Sequence, residues 1–168
     1  LCAGTVVAWW QATEARSSQQ RAETVKSFVA DLLTDADPYE TSSTEPTVKA
    51  MLEAAFQRLP PPQPGNAALR VELLNLIGGS LSGLSDFDRA EPILVAAVAE
   101  SRRELGDDHE LTLAARLLQT TVERFRGRTD AMRVTLDELV PALRSRAESR
   151  PQLLRDALTM AAHLALDE

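Results

Sequence analysis

Aromatic residues are scarce in this chain: Phe, Trp and Tyr make up 4% of its 168 residues. Strands draw on aromatic and β-branched side chains, so a core built mainly from Leu, Ala and Val favours close-packed helices over a sheet. No alternating apolar and polar run bounded by turn residues occurs along the chain. Cysteine is limited to Cys2, which excludes an internal disulfide and any cysteine-built metal site. Positive charge is also short, with 18 Lys and Arg against 25 Asp and Glu, for a net charge of -7. A nucleic-acid surface needs clustered Lys and Arg. The one arginine-rich stretch, Arg144, Arg146 and Arg150, is interrupted by Glu148 and reads as a solvated helix end. No uninterrupted apolar run reaches the length of about 20 residues that crosses a bilayer.

What remains is the composition of a folded domain, 44% hydrophobic and 26% charged, long enough for one sizeable core. Residues 1–10, LCAGTVVAWW, carry no charge and end in Trp9-Trp10, followed at once by Gln11, Glu14 and Arg16. Paired tryptophans at an apolar–polar boundary suit the interfacial belt of a membrane span, so residues 1–10 read as the end of a transmembrane helix. The start at Leu1 is what a piece of a longer protein would show. Residues 11–59 read as a juxtamembrane helical segment. Gln11 to Arg21 is polar all round, and Val25, Phe28, Val29, Leu32 and Leu33 then form one apolar stripe. Asp37-Pro38 ends that helix. Thr47 is placed to cap a short helix carrying Val48, Met51, Leu52, Ala55, Phe56 and Leu59. Four prolines and a glycine make residues 60–65 a stiff connector.

Residues 66–105 are the most strongly patterned stretch. Asn66 is placed to cap a first helix and Asp86 a second, Pro92 falls early in the second, and Gly106 stops it. A further helix spans about His109 to Arg126, stopped by Gly127; Asp130 caps another to about Ala147, which Pro141 should kink; Pro151 opens the last. In 66–105 the pattern of Leu74, Ile77-Gly78 and Leu81, then Phe87, Ala90, Leu94 and Ala97, alternates large and small residues at fixed places. It resembles the signature of the tetratricopeptide repeat, in which two antiparallel helices bury their apolar faces only against neighbouring pairs. Gly78 and Ala90 are small where the helices cross; Leu74, Leu81, Phe87 and Leu94 fill the space around the crossing.

The segment Leu105-Gly106-Asp107-Asp108-His109, followed by Thr112-Leu113, is similar to the inter-repeat linker of kinesin-light-chain-type repeats, with Glu110 where a proline is usual. A second, degenerate unit over 109–148 can be laid about 42 residues on, through Leu118, Phe125-Arg126-Gly127-Arg128, Met132, Leu136 and Leu139. Gln119 and Thr120 then stand in the places of Ile77 and Gly78. Residues 151–168 form a truncated third unit. The lead-in, Glu23-Thr24-Val25-Lys26-Ser27-Phe28-Val29 with Leu32, Leu33 and Ala36-Asp37-Pro38, resembles the segment that joins membrane span and repeats in bacterial membrane-anchored serine/threonine protein kinases. Transmembrane winged-helix regulators with repeats have a similar layout. The kinase motifs themselves are absent from these 168 residues: there is no glycine-rich loop, His-Arg-Asp or Asp-Phe-Gly.

The expectation is therefore an all-α chain in which a long membrane-proximal helix precedes a short tetratricopeptide-repeat α-solenoid over residues 66–168. The resemblance implies a protein-interaction or sensing module of a single-pass, membrane-anchored signalling protein, with this region extracytoplasmic and any kinase chemistry, with its ATP and magnesium, in another part of the parent. This segment itself is expected to hold no catalytic residue, cofactor or metal. Asp107-Asp108-His109-Glu110 has the residue types of a metal site, but consecutive residues on a turn point apart, and acidic capping of a helix start accounts for them. His163 reads as a packed histidine. No Ser/His/Asp order or phosphate loop can be assembled, which leaves an α-solenoid enzyme as the weakest alternative. In a stack of repeats the first helices line the concave surface, so the expected contacts to a protein or peptide partner are Arg70, Asn75, Arg116, Gln119 and Arg124.

Overall fold

The computed structural model describes residues 47–62, 65–145, 148 and 150–166. The expected membrane-span end, the polar stalk and the apolar stripe of Val25 to Leu33 lie outside the described residues. Among the described residues the chain is all-α, with six helices and no strand: α1 (Val48–Gln57), α2 (Ala67–Gly83), α3 (Phe87–Leu105), α4 (Glu110–Phe125), α5 (Thr129–Arg144) and α6 (Pro151–Leu166). None of these helices is long and apolar enough to cross a membrane. The chain divides into two compact units, Leu1–Ala55 and Phe56–Glu168, with the division inside α1 and slightly before the expected boundary at the prolines.

Helix α1 begins as its sequence dictates. The Thr47 hydroxyl accepts a hydrogen bond from the Ala50 amide at 3.2 Å, which satisfies one of the donors a helix start leaves open. The other expected caps behave differently. Asn66 stands at the N-cap of α2 but its side chain makes no capping bond; its amide instead donates to the Pro61 carbonyl at 3.2 Å. Asp86 at the start of α3 likewise makes no capping bond and pairs with Arg89 at 2.9 Å. Helix α5 starts at Thr129 with Arg128 at the cap position, so Asp130 lies in the first turn, where a carboxylate still complements the helix dipole. It runs unbroken through Pro141 to Arg144, slightly short of the expected end.

The second unit is built from neighbours. Helix α2 packs on α3, α3 on α4, α4 on α5 and α5 on α6, and α4 also meets both α2 and α6. Being covered from two sides, α2 buries Leu69, Val71, Leu73, Leu74, Ile77 and Leu81 around most of its circumference. The α2–α3 pair closes on Gly78. A Cβ at that position would lie 2.7 Å from both Cγ and Cδ2 of Leu94, which is fully buried. Only glycine lets the helices approach this closely. Ala90 and Ala97, both at 0% exposure, keep α3 slim on either side of Leu94. Farther along, Leu113, Leu117, Leu139, Leu143 and Ala157 make a second core from α4, α5 and α6, and Met132, Leu136 and Leu164 a third from α5 and α6.

The turns repeat as well. After α2, the amides of Leu84, Ser85 and Asp86 donate to the carbonyls of Ser80, Ser82 and Leu81. After α4, the amides of Arg126, Gly127 and Arg128 donate to those of Val122, Arg124 and Glu123. This is one Schellman-type turn built twice, at a spacing of about 42 residues. The residue at its centre is left-handed in both, with φ of 57° at Ser85 and 69° at Gly127. Glycine adopts that conformation freely, whereas an L side chain does so at a cost of about 1–2 kcal/mol.

A stability series separates these constraints. Gly78→Ala is expected to lose about 1–2 kcal/mol, because overpacking outweighs the gain in helix propensity. Gly79→Ala meets only the tip of the half-buried Leu118, at 3.3 Å, and is expected to be neutral or stabilising. Ser85→Gly is expected to gain about 0.5–1 kcal/mol by relieving the left-handed turn. Urea unfolding midpoints of the three variants check the order, and a Gly78→Ala protein as stable as its parent would refute the close crossing.

Candidate interaction surfaces

The five residues expected to line a peptide site occupy different settings. Arg70, in the first turn of α2, is half-buried, and its Nε donates to Oε2 of Glu100 on α3 at 2.9 Å. One of its terminal nitrogens donates to the Pro60 carbonyl, which ties the proline connector to the α2–α3 pair. Asn75 is buried and faces α4, where its side-chain amide donates to the Leu111 carbonyl at 3.1 Å. At about 100° per residue, Arg70 and Asn75 point some 140° apart on α2, one toward α3 and the other toward α4. Arg116 is buried and reaches Glu138 on α5 at 2.6 Å. Gln119 is half-buried on α4, and the Arg124 guanidinium lies 5.5 Å from the centre of the Phe125 ring. The group is thus not brought together as one surface: its first three members hold the helices to one another.

The eight signature residues of 66–105 fall where the alternation of large and small puts them, with one exception. Leu74, Ile77, Leu81, Ala90, Leu94 and Ala97 are buried around Gly78. Phe87 does not fill the crossing. It stacks on Phe125 of α4, with ring centres 4.7 Å apart and planes 20° from parallel. This stack is the centre of a clamp between the start of α3 and the end of α4. Arg126 pairs with Asp88 and also approaches Glu91, at 3.5 Å, and Arg128 pairs with Glu91. The hydrogen bond from Arg128 holds the Glu91 carboxyl below its ordinary range. Nothing in the local sequence signals this clamp, because its partners are 37 and 38 residues apart.

Glu123 sits behind the clamp. It is buried, its Oε2 has no hydrogen-bond partner among the described residues, and burial raises its carboxyl above the usual range, partly opposed by Arg128. In the repeat register it takes the place of Leu81, as Arg116 takes that of Leu74 and Thr120 that of Gly78. Thr120 is accommodated because its hydroxyl donates to the Arg116 carbonyl in the preceding turn, at 2.8 Å.

The acidic cluster before α4 divides its tasks. His109 caps the helix, its Nδ1 accepting from the Leu111 amide at 3.2 Å, where the sequence suggested that an acid would. Asp107 pairs with Arg102 at 2.5 Å, and Glu110 with Arg150. Among the described residues no group of three His, Cys, Asp or Glu converges as metal ligands. His163 lies on α6 with its Nδ1 buried and unpartnered among the described residues. The chain matches no protein-family model, no curated protein and no solved structure.

The raised carboxyl of Glu123 gives a pH signature. A carboxyl whose pKa is higher folded than unfolded favours folding at low pH and opposes it once pH rises through the folded value. Replacing it with a neutral isostere removes that opposition. Glu123→Gln is therefore expected to melt at a higher temperature than the parent at pH 7. The gain should vanish below about pH 4, where the unfolded carboxyl is also protonated. A gain of equal size at both pH values would show that charge burial is not the cause.

Proposed function

We propose that α2 to α6 form a short tetratricopeptide-type α-solenoid, and that it serves as the non-catalytic protein-interaction module of a membrane-anchored bacterial signalling protein, in particular the repeat region of a serine/threonine protein kinase. The observation that carries the solenoid reading is the recurrence of helix, Schellman turn and helix at a spacing of about 42 residues: α2, α4 and α6 begin at Ala67, Glu110 and Pro151, and α3 and α5 at Phe87 and Thr129. The order of contacts supports it. Next-but-one packing joins α2 to α4 and α4 to α6, and is much weaker for α3 with α5. In a curved stack the inner layer is the closer packed, so α2, α4 and α6 line the inner face.

That face carries the interaction. Leu76 is 53% exposed on α2, beside the half-buried Gly79, Ser80 and, from α4, Leu118. An exposed leucine flanked by small residues, one turn from the exposed Glu72, suits an apolar anchor of an extended or helical peptide. The kinase and membrane parts of the reading rest on the resemblance of residues 1–38 and on Trp9-Trp10. The test is selection of a random peptide library on the purified chain, counter-screened with a Leu76→Glu variant. The expected result is a family of peptides with apolar anchors that the variant no longer binds. Retention of no peptide, or of the same peptides by the variant, would sink the inner-face reading.

A further inference from the structure

Leu76 and Leu118 belong to a longer apolar ledge that carries one charge at each end. Asn75 of α2 meets Leu111 of α4, and the backbone of Gly79 faces Leu118, so the two helices run side by side in the same direction. On α2, Glu72 precedes Leu76 by one turn on the same face. On α4, Phe125 follows Leu118 by about two turns on the same face, and it is 59% exposed. The ledge thus runs from Glu72, through Leu76 and Leu118, to Phe125.

Neither end charge is used within the fold. The other carboxylates of α2, α3 and α4 pair with an arginine or, at Glu123, are buried. Glu72 is exposed and has no ion-pair partner among the described residues. The arginines of these helices divide in the same way, and all but Arg124 meet a carboxylate. Arg124 is half-buried, with its guanidinium held 5.5 Å from the centre of the Phe125 ring. Its charge is therefore left without a counterpart at the far end of the ledge. In the repeat register Arg124 takes the place of Ser82. The two charges are thus about ten residues apart along parallel helices, or roughly 15 Å.

We infer that the ledge takes an amphipathic helix of a partner protein, in which a basic and an acidic residue about ten positions apart flank an aliphatic stripe. The base meets Glu72, the acid meets Arg124, and the aliphatic residues lie on Leu76 and Leu118 between them. Two parallel helices receive a third by the ridge packing that joins them to each other. Exposed ion pairs add little affinity, whereas like charges set against each other are costly. The two end charges therefore choose among partners more than they strengthen binding. A helix acidic at both ends is repelled by Glu72, and one basic at both ends by Arg124. The inference rests on the inner-face reading and adds the chemistry of the partner.

The probes are three labelled, stapled helices of about four turns with one shared Leu and Ala face. They differ at the two flanking positions: one base and one acid, an acid at both, or a base at both. Each is titrated with the 168-residue chain and binding is read by fluorescence anisotropy. The mixed helix is expected to bind about fivefold more tightly than either of the others. Glu72→Arg leaves two bases on the ledge and should make the doubly acidic helix the best ligand. Arg124→Glu leaves two acids and should make the doubly basic helix the best. Leu76→Ser removes the anchor without adding charge and should abolish binding of all three. Equal binding of the three helices, or a ranking that survives both charge reversals, would overturn the charge assignment; if Leu76→Ser still abolished that binding, the inner face itself would stand. Binding of none to the parent chain, or binding indifferent to Leu76→Ser, would overturn both. A dimer in sedimentation equilibrium that Leu76→Ser dissolves would give the ledge to a second copy of this chain and end the proposal. Far-UV circular dichroism and melting confirm that each variant is folded. Glu72→Gln and Arg124→Gln, which should level the ranking, replace any charge reversal that is not.

Discussion

The closeness of α2 to α3 at Gly78 is the constraint from which the rest of the second unit follows. With Leu94 seated against the bare backbone of α2, five other large, fully buried side chains, Leu73, Leu74, Ile77, Leu81 and Ile93, lie on the two helices of that crossing. Close-packed interiors tolerate neither voids nor added methyl groups cheaply. The crossing therefore determines how α3 presents its other side to α4, and the Asn75 bond to the Leu111 carbonyl fixes where α4 begins against α2.

The second pair lacks that crossing and is held in another way. Thr120 stands where glycine stood, and polar groups replace two leucines, at Arg116 and Glu123. Buried charge must be paired or it opposes folding. Arg116 is paired with Glu138, while Glu123 has a raised carboxyl and an oxygen with no hydrogen-bond partner among the described residues. The Phe87–Phe125 stack and its ion pairs then fasten the second pair to the first. The first pair is specified by shape and the second by charge and by attachment.

Much of this was legible in the sequence for local reasons. Prolines and glycines punctuate the chain, so the five helices after the connector could be placed within a few residues. The spacing of Leu74, Gly78, Ala90 and Leu94 marked the close crossing before any coordinates. What escaped was non-local or disguised. Arg70 looks solvent-facing because its partners, Pro60 and Glu100, lie 10 and 30 residues away. Asn66 and Asp86 have the residue types of caps, yet other partners took their side chains, and histidine did the capping that an acid was expected to do. Ser85 concealed the repeated turn because serine does not advertise a left-handed residue as Gly127 does. Aligning the two positions in the repeat register would have exposed it.

The order of contacts has a kinetic meaning. Every substantial helix–helix contact in the second unit joins elements adjacent in the chain or one removed. Closing such short loops costs little entropy, and folding rates rise as contacts become more local. Among the described residues there is no strand pairing to wait for. The chain can nucleate in one helix pair and extend by adding neighbours. The pair closed on Gly78, with the most extensive helix–helix contact, is the natural nucleus, and order then grows outward toward α6.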